Sequence, residues 1–340
     1  MSQRLASATV AILGYGHQGE AQALNLRDSG LEVIVGARAG RDAEARARAA
    51  GFSTLPPSEA VRRSQVVAVL IPDEAVTAAW ADLEPALRPD GAIVFAHGFN
   101  LIYSELRFPA GADVVLVSPT APGRVLRECF RRGERLPGYL AVHRDASGEA
   151  WALAEAYAGR LGLGPLLRTT AREETEVDLF GEQAVLCGGM SALVTLAFET
   201  LVERGYAPGI AYLECVHQLT YLAQLLHDRG VSGMRREISG TALYGDLTRG
   251  PRIVGEPSRA ALREALEAIR SGAFAREWSA EVAAGRPRLE ELVRAGASHP
   301  IEAARRAALG TAIEPPGEPP GEPASEPPGE APRRGGRPPL

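Results

Sequence analysis

The chain has 340 residues and a net charge of −5, with 45% hydrophobic and 23% charged residues. This length suits two ordinary domains with a sizeable core, and the composition is typical of a soluble globular protein. An acidic balance without a basic stripe argues against a nucleic-acid-binding protein. The longest uninterrupted apolar runs, such as 66–71, have the length of a strand, so we expect no membrane-spanning segment.

Cysteine and lysine usage also limit the possible functions. Cys129, Cys187 and Cys215 are odd in number and lack paired spacing, and the N-terminus shows no signal-peptide pattern. We therefore expect a reduced, cytoplasmic protein. All 37 cationic residues are arginine, which removes lysine from every mechanistic role.

A glycine-rich motif stands at the start of the chain. It follows a predicted strand at 8–13, precedes a predicted helix, and comprises Gly14, Tyr15, Gly16, His17, Gln18 and Gly19. A second strand follows at 31–36. This is G-x-G-x-x-G between a strand and a helix, the pattern that lets a backbone turn approach the pyrophosphate of a dinucleotide. The alternative is a tight turn that holds no phosphate.

The end of the second predicted strand bears on the choice between NAD(H) and NADP(H). Arg38 and Arg41 are suited to a 2′-phosphate, whereas Asp42 is suited to a free 2′-hydroxyl and would repel a phosphate. We favour NAD(H), because a carboxylate is the harder feature to reconcile with a phosphate. The alternative is that all three are solvated loop charges.

The alternation of strands and helices continues through the first half of the chain. Further strands are predicted at 66–72, 91–100, 114–123 and 139–145. This pattern indicates an α/β fold with a parallel, doubly wound Rossmann sheet, whose strands end at the ligand crevice. Asp73, His97 and the loop 118–123 follow such strand ends. A lone histidine is often structural, but this position favours a role for His97 in the site.

The second half of the chain has a different texture. From about 171 the sequence shows long helical patterns with apolar residues on more than one face, which predicts burial against each other or another subunit. The predicted domains are a dinucleotide-binding domain at 1–170 and an all-helical domain at 171–310. Residues 311–340 repeat Pro-Pro-Gly-Glu without apolar periodicity and are predicted to be disordered.

Two polar pairs with helical spacing lie in the helical half. Asp178 and Glu182 are four residues apart in a mostly apolar stretch, and Glu214 and Gln218 repeat that spacing. Such side chains project from one helix face, and a divalent cation commonly compensates buried carboxylates. The spacing alone is equally compatible with solvated helix faces.

Several separated motifs, in order, resemble those of the ketol-acid reductoisomerase family. They are GYGHQG at 14–19, HGFN at 97–100, SPTAPG at 118–123, EETEVDLFGEQAVLCGG at 173–189, FETLVERGYAPGIAYLECVHQL at 198–219 and GMRREISGTALYGD at 233–246. The resemblance covers about 8–310. It implies a nicotinamide cofactor, two Mg²⁺ ions, a knotted helical C-terminal domain and a homodimer or larger homo-oligomer. It also implies a small carboxylic-acid substrate, which undergoes a 1,2-alkyl shift followed by hydride transfer.

The resemblance also assigns roles to individual positions. Metal ligands are expected at Asp178, Glu182 and Glu214; catalytic groups at His97, Glu182 and Gln218; substrate contacts at Thr120, Glu214, Ile238 and Ser239; and cofactor contacts at 14–19, Arg38, Arg41, Asp42, Asp73 and Gly123. Bound metals act in such sites as Lewis acids on substrate oxygens.

Four positions in three motifs depart from the family pattern. Gln218 replaces a carboxylate and Thr120 replaces a lysine, while Gly240 and Leu243 replace an Asn or Asp and a glutamate of the family's I-S-[ND]-T-A-E-Y-G-D motif. A neutral amide cannot accept a proton as a carboxylate does, and Arg124 is too weak an acid to replace the lysine.

These departures leave three hypotheses about function. The first is an enzyme with an altered metal- and nicotinamide-dependent reaction on a hydroxy or keto acid in specialised metabolism, such as cyclopropanol formation from a sulfonium dihydroxy acid. The second is an ordinary ketol-acid reductoisomerase that converts 2-acetolactate to 2,3-dihydroxy-isovalerate. The third is a non-enzymatic cofactor-binding protein. We favour the first on sequence grounds, because each lost group commonly costs orders of magnitude in rate.

Overall fold

The structure is a computed structural model that describes residues 3–310. The predicted disorder of 311–340 lies outside the described residues. Eight strands are present: β1 Thr9–Leu13, β2 Glu32–Gly36, β3 Ser53–Leu55, β4 Val66–Val69, β5 Ala92–Phe95, β6 Asp113–Pro119, β7 Leu136–Arg144 and β8 Leu163–Arg168.

Helices alternate with these strands and then continue alone. In the first half they are α1 Gln3–Ala6, α2 His17–Asp28, α3 Asp42–Ala49, α4 Pro57–Arg63, α5 Asp73–Leu83, α6 Phe99–Tyr103, α7 Gly123–Arg131 and α8 Ala150–Leu161. In the second half they are α9 Ala171–Gly181, α10 Gly188–Glu203, α11 Pro208–Tyr212, α12 Leu219–Glu237, α13 Gly240–Ile253, α14 Glu256–Arg270, α15 Ala273–Ala283, α16 Pro287–Ala297 and α17 Pro300–Leu309.

The strands form one sheet in the order β3-β2-β1-β4-β5-β6-β7-β8. All neighbours are parallel except β6 and β7, which pair antiparallel with Ser118 opposite Tyr139. The prediction of a wholly parallel sheet is therefore wrong at this pair. Between the two strands, α7 packs along α2, and β7 begins at the end of the sheet where β6 stops. Sequence periodicity gives the alternation of elements but not strand direction.

Side chains of the central strands supply a core on each face of the sheet. In β1, Val10 and Ile12 pack on one face with α2 and α8, while Ala11 and Leu13 pack on the other with α4 and α5. Successive residues of a strand point to opposite faces, so a strand of continuous apolar residues fits a sheet covered on both sides. This arrangement brings the carboxyl ends of the parallel strands to one edge, where the site residues follow.

The helical half divides between two compact units. The first unit comprises Met1–Leu193 and Glu237–Arg288, and the second comprises Val194–Arg236 and the chain from Leu289 onward. In the first unit, α6, α9, α14 and α15 share an apolar cluster that includes Phe99 and Ile269. In the second, α10, α11 and α17 share one that includes Phe198 and Tyr212. The predicted domain limits 1–170 and 171–310 follow a change in sequence pattern and not these packing units, and they remain a prediction.

One helical stretch is unusually apolar for its exposure. Ala171–Glu203, 33 residues long, is long and apolar enough to cross a membrane by length and composition, and 6% of its most apolar window is buried. Core helices of soluble proteins can meet the same criteria, so this is weak evidence for a membrane span. Polar residues such as Glu182 and Glu199 divide the stretch, so it contains no long uninterrupted apolar run.

Candidate functional site

The glycine-rich turn between β1 and α2 forms a cradle that is open on one side. Gly14 has a φ of +90°, which favours glycine, and an added Cβ at Gly19 would lie inside van der Waals contact of the Gly14 carbonyl oxygen. At Gly16 an added Cβ would meet nothing within 4 Å. Gly16 also caps α2 without a side-chain hydrogen bond. The turn therefore leaves backbone N–H groups at a helix N-terminus available to a phosphate.

The loop between β6 and α7 closes against this turn. An added Cβ at Gly123 would overlap the carbonyl oxygen of His17, so the two backbones are in direct contact. Gln18 Nε2 donates to the Ala121 carbonyl oxygen at 3.0 Å. The predicted cofactor contacts at 14–19 and Gly123 therefore come together at one edge of the sheet.

Tyr15 directs its side chain away from that edge. Its ring is 1% exposed and packs edge-on against Phe52 at 5.8 Å, with the Arg46 guanidinium 5.7 Å from the ring centroid. Burial raises the pKa of the Tyr15 hydroxyl, and Glu20 adds to the increase. The hydroxyl has no hydrogen-bond partner among residues 3–310. In this arrangement the backbone of Tyr15, rather than its ring, is presented to a cofactor.

The charged residues after β2 lie at the surface. Arg38 and Arg41 are exposed, and Asp42 begins α3 with its side chain 81% exposed. Arg46 pairs with Asp42 at 3.5 Å and also with Glu20 on α2. The segment therefore has both cations and carboxylates beside the glycine turn, as the sequence indicated.

A compact cluster of ionisable groups lies beyond the end of β5. His97 Nδ1 is 3.2 Å from Asp178 Oδ2 and 3.6 Å from Glu174 Oε2, although neither contact has hydrogen-bond geometry. Ligand atoms of His97, Glu174 and Asp178 lie within 4.8 Å of one another. Helix α9 supplies both carboxylates from successive turns, and Thr170 caps its start by accepting from Glu173 N.

In this cluster the charge of His97 only partly offsets burial and the repulsion among the carboxylates. Burial raises the pKa of Asp178, with Glu174 adding to it, while burial and the charge of Asp178 raise the pKa of Glu182. Burial alone would lower the pKa of His97, but Glu174, Asp73 and Asp178 raise it to about 9. Glu174 Oε1 is buried without a partner among the described residues. These donors fit a divalent cation, which would relieve the repulsion.

Asp73 belongs to the same region. It begins α5, burial raises its pKa, and its Oδ1 accepts a hydrogen bond from Asn100 Nδ2 at 3.0 Å. Asp73 also contributes to the raised pKa of His97. The structure therefore places Asp73 beside the His97 cluster, and the bond to Asn100 links the starts of α5 and α6.

The other predicted residues are distributed between the two units. Glu214 and Gln218 belong to the second unit, where both side chains are exposed. Ile238 and Ser239 belong to the first unit, and Ser239 caps α13 by accepting from Ala242 N at 3.2 Å. Thr120 is exposed, and its hydroxyl donates to the Pro137 carbonyl oxygen at 2.9 Å.

Both polar pairs adjoin π-helical turns. Glu182–Leu186 forms one such turn, in which Cys187 N donates to Glu182 O at 2.9 Å, and Leu213–His217 forms the other, in which Gln218 N donates to Leu213 O at 3.2 Å. π-helical turns are rare in proteins, and those that occur are often at functional sites.

Comparison with known proteins agrees with this arrangement. Residues 4–166 match the family model described as "Acetohydroxy acid isomeroreductase, NADPH-binding domain", and residues 171–309 match "Ketol-acid reductoisomerase, C-terminal domain". The chain belongs to the ketol-acid reductoisomerase family. Members of this family are NAD(P)-dependent oxidoreductases and isomerases, so the non-enzymatic alternative is not supported.

Solved structures give the same result. A ketol-acid reductoisomerase from an uncultured archean, described as NADH-preferring, is 36% identical with a TM-score of 0.87, covering 91% of this chain and 96% of its own. A semialdehyde dehydrogenase NAD-binding protein from Cupriavidus necator is 18% identical with a TM-score of 0.61, covering 78% and 99%. A pyrroline-5-carboxylate reductase from Coxiella burnetii is 15% identical with a TM-score of 0.56, covering 78% and 98%. The last two indicate shared fold alone.

One site residue of this family member was missed from the sequence. Glu174 is 3% exposed, and its ligand atom lies within 4.8 Å of those of His97 and Asp178. A signal for it exists in the sequence, because Glu174, Asp178 and Glu182 follow each other at intervals of four residues.

Proposed function

We propose that this chain catalyses the ordinary reaction of its family, the conversion of 2-acetolactate to 2,3-dihydroxy-isovalerate with a nicotinamide cofactor and Mg²⁺. The observation that carries the proposal is the placement of two features in one unit. The open glycine cradle follows β1, and the cluster of His97, Glu174 and Asp178 follows β5, at the same edge of the sheet. This edge is where doubly wound folds bind ligands.

The residues of the cluster have distinct tasks in this proposal. Asp178 and Glu182 would hold Mg²⁺, which would supply Lewis-acid polarisation of the substrate oxygens when bound. Glu214 is retained as a proposed ligand on the family resemblance alone. Before a metal binds, the surrounding carboxylates raise the pKa of His97 to about 9, so its imidazole can donate a hydrogen bond or a proton. Glu174 accepts from Gly98 N at 3.3 Å and thereby fixes the backbone beside His97.

We also propose that NADH is preferred to NADPH. Asp42 at the start of α3 would repel a 2′-phosphate. Arg46 pairs with both Asp42 and Glu20 of α2, which links the Asp42 carboxylate to the helix that follows the glycine turn. A relative of this family that is 36% identical is described as NADH-preferring. Fluorescence titration of the two reduced cofactors tests the preference. Tighter binding of NADPH than of NADH would contradict it.

The departures at Thr120, Gln218 and Leu243 favour a second candidate, an altered reaction on a related hydroxy or keto acid. The Thr120 hydroxyl is held by the Pro137 carbonyl oxygen and carries no ionisable proton near neutral pH. Gln218 offers an amide where a carboxylate would accept a proton. In this candidate the cofactor-binding residues are kept, while the alkyl shift is replaced by another step on the hydroxy acid. One example is cyclopropanol closure, in which a carbon loses a proton and forms a C–C bond by displacing a sulfide from a sulfonium-bearing carbon.

Two substrates separate these candidates. The enzyme with Mg²⁺ and NADH is given either 2-acetolactate or 3-hydroxy-3-methyl-2-ketobutyrate, the product of the methyl shift, and cofactor absorbance is followed. Oxidation of NADH with both supports the ordinary reaction. Oxidation with the second alone shows reduction without isomerisation and supports the altered reaction. Oxidation with neither, under conditions where NADH binds, overturns the first candidate and leaves the acid to be sought among other hydroxy acids.

We further propose a homodimer or larger homo-oligomer. The support is the exposed apolar surface of α10 and α12, where Leu196 and Tyr221 are each 62% exposed. Apolar surface of this extent on helices is typical of protein interfaces.

A further inference from the structure

A chain of hydrogen bonds, buried at its α8 end, runs from the sheet-covering helix α8 to the loop after β6. The Tyr157 hydroxyl donates to Gln22 Oε1 at 2.9 Å, and Gln22 Nε2 donates to Gln18 Oε1 at 3.4 Å. Gln18 Nε2 then donates to the Ala121 carbonyl oxygen at 3.0 Å. Tyr157 and Gln22 are both 0% exposed.

The direction of this chain is fixed from its buried end. Burial raises the pKa of Tyr157, so its hydroxyl keeps its proton and acts as a donor. An amide that accepts on its oxygen must direct its NH₂ group the other way, so Tyr157 sets the orientation of Gln22. Gln22 in turn presents a donor to Gln18, which leaves the Gln18 NH₂ group for Ala121. Buried polar groups of this kind are costly to leave unpaired.

The loop at the end of the chain is held on two sides. Thr120 is anchored to the Pro137 carbonyl oxygen by its backbone N–H at 3.2 Å and its hydroxyl at 2.9 Å. On the other side, Ala121 is held by Gln18, and Gly123 touches the backbone of His17. The relative position of the loop and the glycine turn therefore depends on Gln18.

We propose that Tyr157 and Gln22 are positioning residues for the nicotinamide dinucleotide, acting through Gln18 to hold the loop 120–123 against the glycine turn. The inference rests on the proposed cofactor site, and it adds two residues that lie behind that site on α2 and α8.

The test compares Tyr157→Phe and Gln22→Met with Asn25→Leu. Asn25 is a matched control because it is also a 0% exposed amide of α2, but it bonds to Leu161 O and Arg127 rather than to Gln18. For the first two variants we expect the dissociation constant for NADH to rise about fivefold, the effect of one lost hydrogen bond. The KM for the organic acid should change less. Asn25→Leu should lower thermal stability but leave NADH binding within about twofold.

Two further measurements identify the route. Hydrogen exchange of the cofactor-free protein should be faster in the peptide that covers 118–126 for Tyr157→Phe and Gln22→Met, but unchanged for Asn25→Leu. In a double-mutant cycle, Tyr157→Phe should add little to Gln18→Ala, because both act on the same contact.

Unchanged loop exchange and NADH binding in both variants would overturn the inference. Equal weakening by Asn25→Leu would also overturn it, since the effect would then be general destabilisation. Failure of the wild-type protein to bind NADH or NADPH would instead overturn the proposed function. In that case the exchange data still decide whether the network orders the loop, because they need no cofactor.

Discussion

Asp113 is fully buried and the side chain of Asp178 is 43% exposed, yet the pKa of the buried carboxyl group is lowered and that of the more exposed one is raised. Asp113 accepts from the backbone and hydroxyl of Ser147 and pairs with Arg4, and these contacts outweigh burial and lower its pKa. Asp178 has acidic neighbours, so burial and their charge raise its pKa. The first carboxylate is satisfied by contacts within the fold, whereas the raised pKa of the second is consistent with the metal-ligand role proposed for it.

The pairing of Asp113 predicts a pH-dependent contribution to stability. Because its folded pKa lies below the unfolded value of about 4, its contribution is present above that value and is lost as pH falls through the folded pKa. Asp113→Asn should lower the free energy of unfolding at pH 7 by on the order of 2 kcal/mol. Urea unfolding between pH 7 and pH 3 should show a smaller acid loss in the variant. Parallel pH profiles for the two proteins would refute this assignment.

The contact at Gly123 predicts a specific loss of cofactor binding. An added Cβ would overlap the His17 carbonyl oxygen. Because that oxygen belongs to the backbone and cannot rotate away, the loop and the glycine turn would have to separate. Gly123→Ala should weaken NADH binding at least tenfold, since a bound dinucleotide needs both segments in place, an effect of about 1.4 kcal/mol. Fluorescence titration measures this.

Gly159→Ala is the control, because Gly159 is an exposed residue within α8 where an added Cβ meets nothing within 4 Å. That variant should gain up to about 1 kcal/mol of stability and bind NADH normally. Normal binding by Gly123→Ala would mean that the two segments do not act together.

Restoring the two missing proton-handling groups should raise isomerisation. Thr120→Lys with Gln218→Glu adds an ammonium group and a carboxylate at the positions where the family has them, and we expect NADH oxidation with 2-acetolactate to increase about tenfold or more. Thr120→Met with Gln218→Glu is the control, because methionine matches the added length without an ionisable group. An equal gain in the control would show that the ammonium group at position 120 is not what raises the rate.

The elements of the sheet show where sequence reading succeeds and where it fails. Continuous apolar runs gave β1, β4 and β5 directly, because these strands are buried on both faces. The short β3 and the edge strand β8 were missed, since their residues are largely exposed and carry no apolar run. The antiparallel pairing of β6 with β7 was also not predicted, because it depends on the packing of the intervening helix α7 and not on a local sequence pattern.

Candidate site residues that belong to a contiguous sequence motif could be predicted, whereas those brought together only by the fold could not. The glycine turn and Asp178 belong to contiguous motifs, so their residues could be named from sequence. Glu174 became visible only when the end of β5 and the start of α9 were seen to meet at His97. The buried path from Tyr157 to Gln18 joins residues far apart in sequence and leaves no pattern in either segment.

At the scale of the whole molecule, the exposed apolar side chains of α10 and α12 would be stabilised by burial against another protein surface. Leu193 and Leu196 of α10 and Tyr221 of α12 are all exposed, and burial of such side chains contributes on the order of 2 kcal/mol each. A second copy of the chain supplies such a surface without any additional partner, and closed symmetric dimers are the commonest form of self-association.

Leu196→Glu should therefore weaken self-association by tenfold or more, which light scattering after gel filtration can measure across a dilution series. Leu167→Glu on β8 is the control, because Leu167 is similarly exposed, at 54%, but lies outside the helical surface. A monomeric wild-type protein would contradict the proposal. If that monomer sedimented with lipid vesicles, the apolar stretch Ala171–Glu203 would be serving a membrane instead.

The two π-helical turns have a consequence for how this chain can be altered. Each turn holds one residue more than a regular α-helix would at that place, so everything after it is rotated by about 100° about the helix axis. Deleting one residue within Glu182–Leu186 would restore an unbroken α-helix and turn α10 out of phase with α9. Such a deletion would keep nearly all of the helical hydrogen bonds, yet it would change the direction of every side chain that follows in the helix. The chain can therefore tolerate substitutions here more readily than a change in length by a single residue.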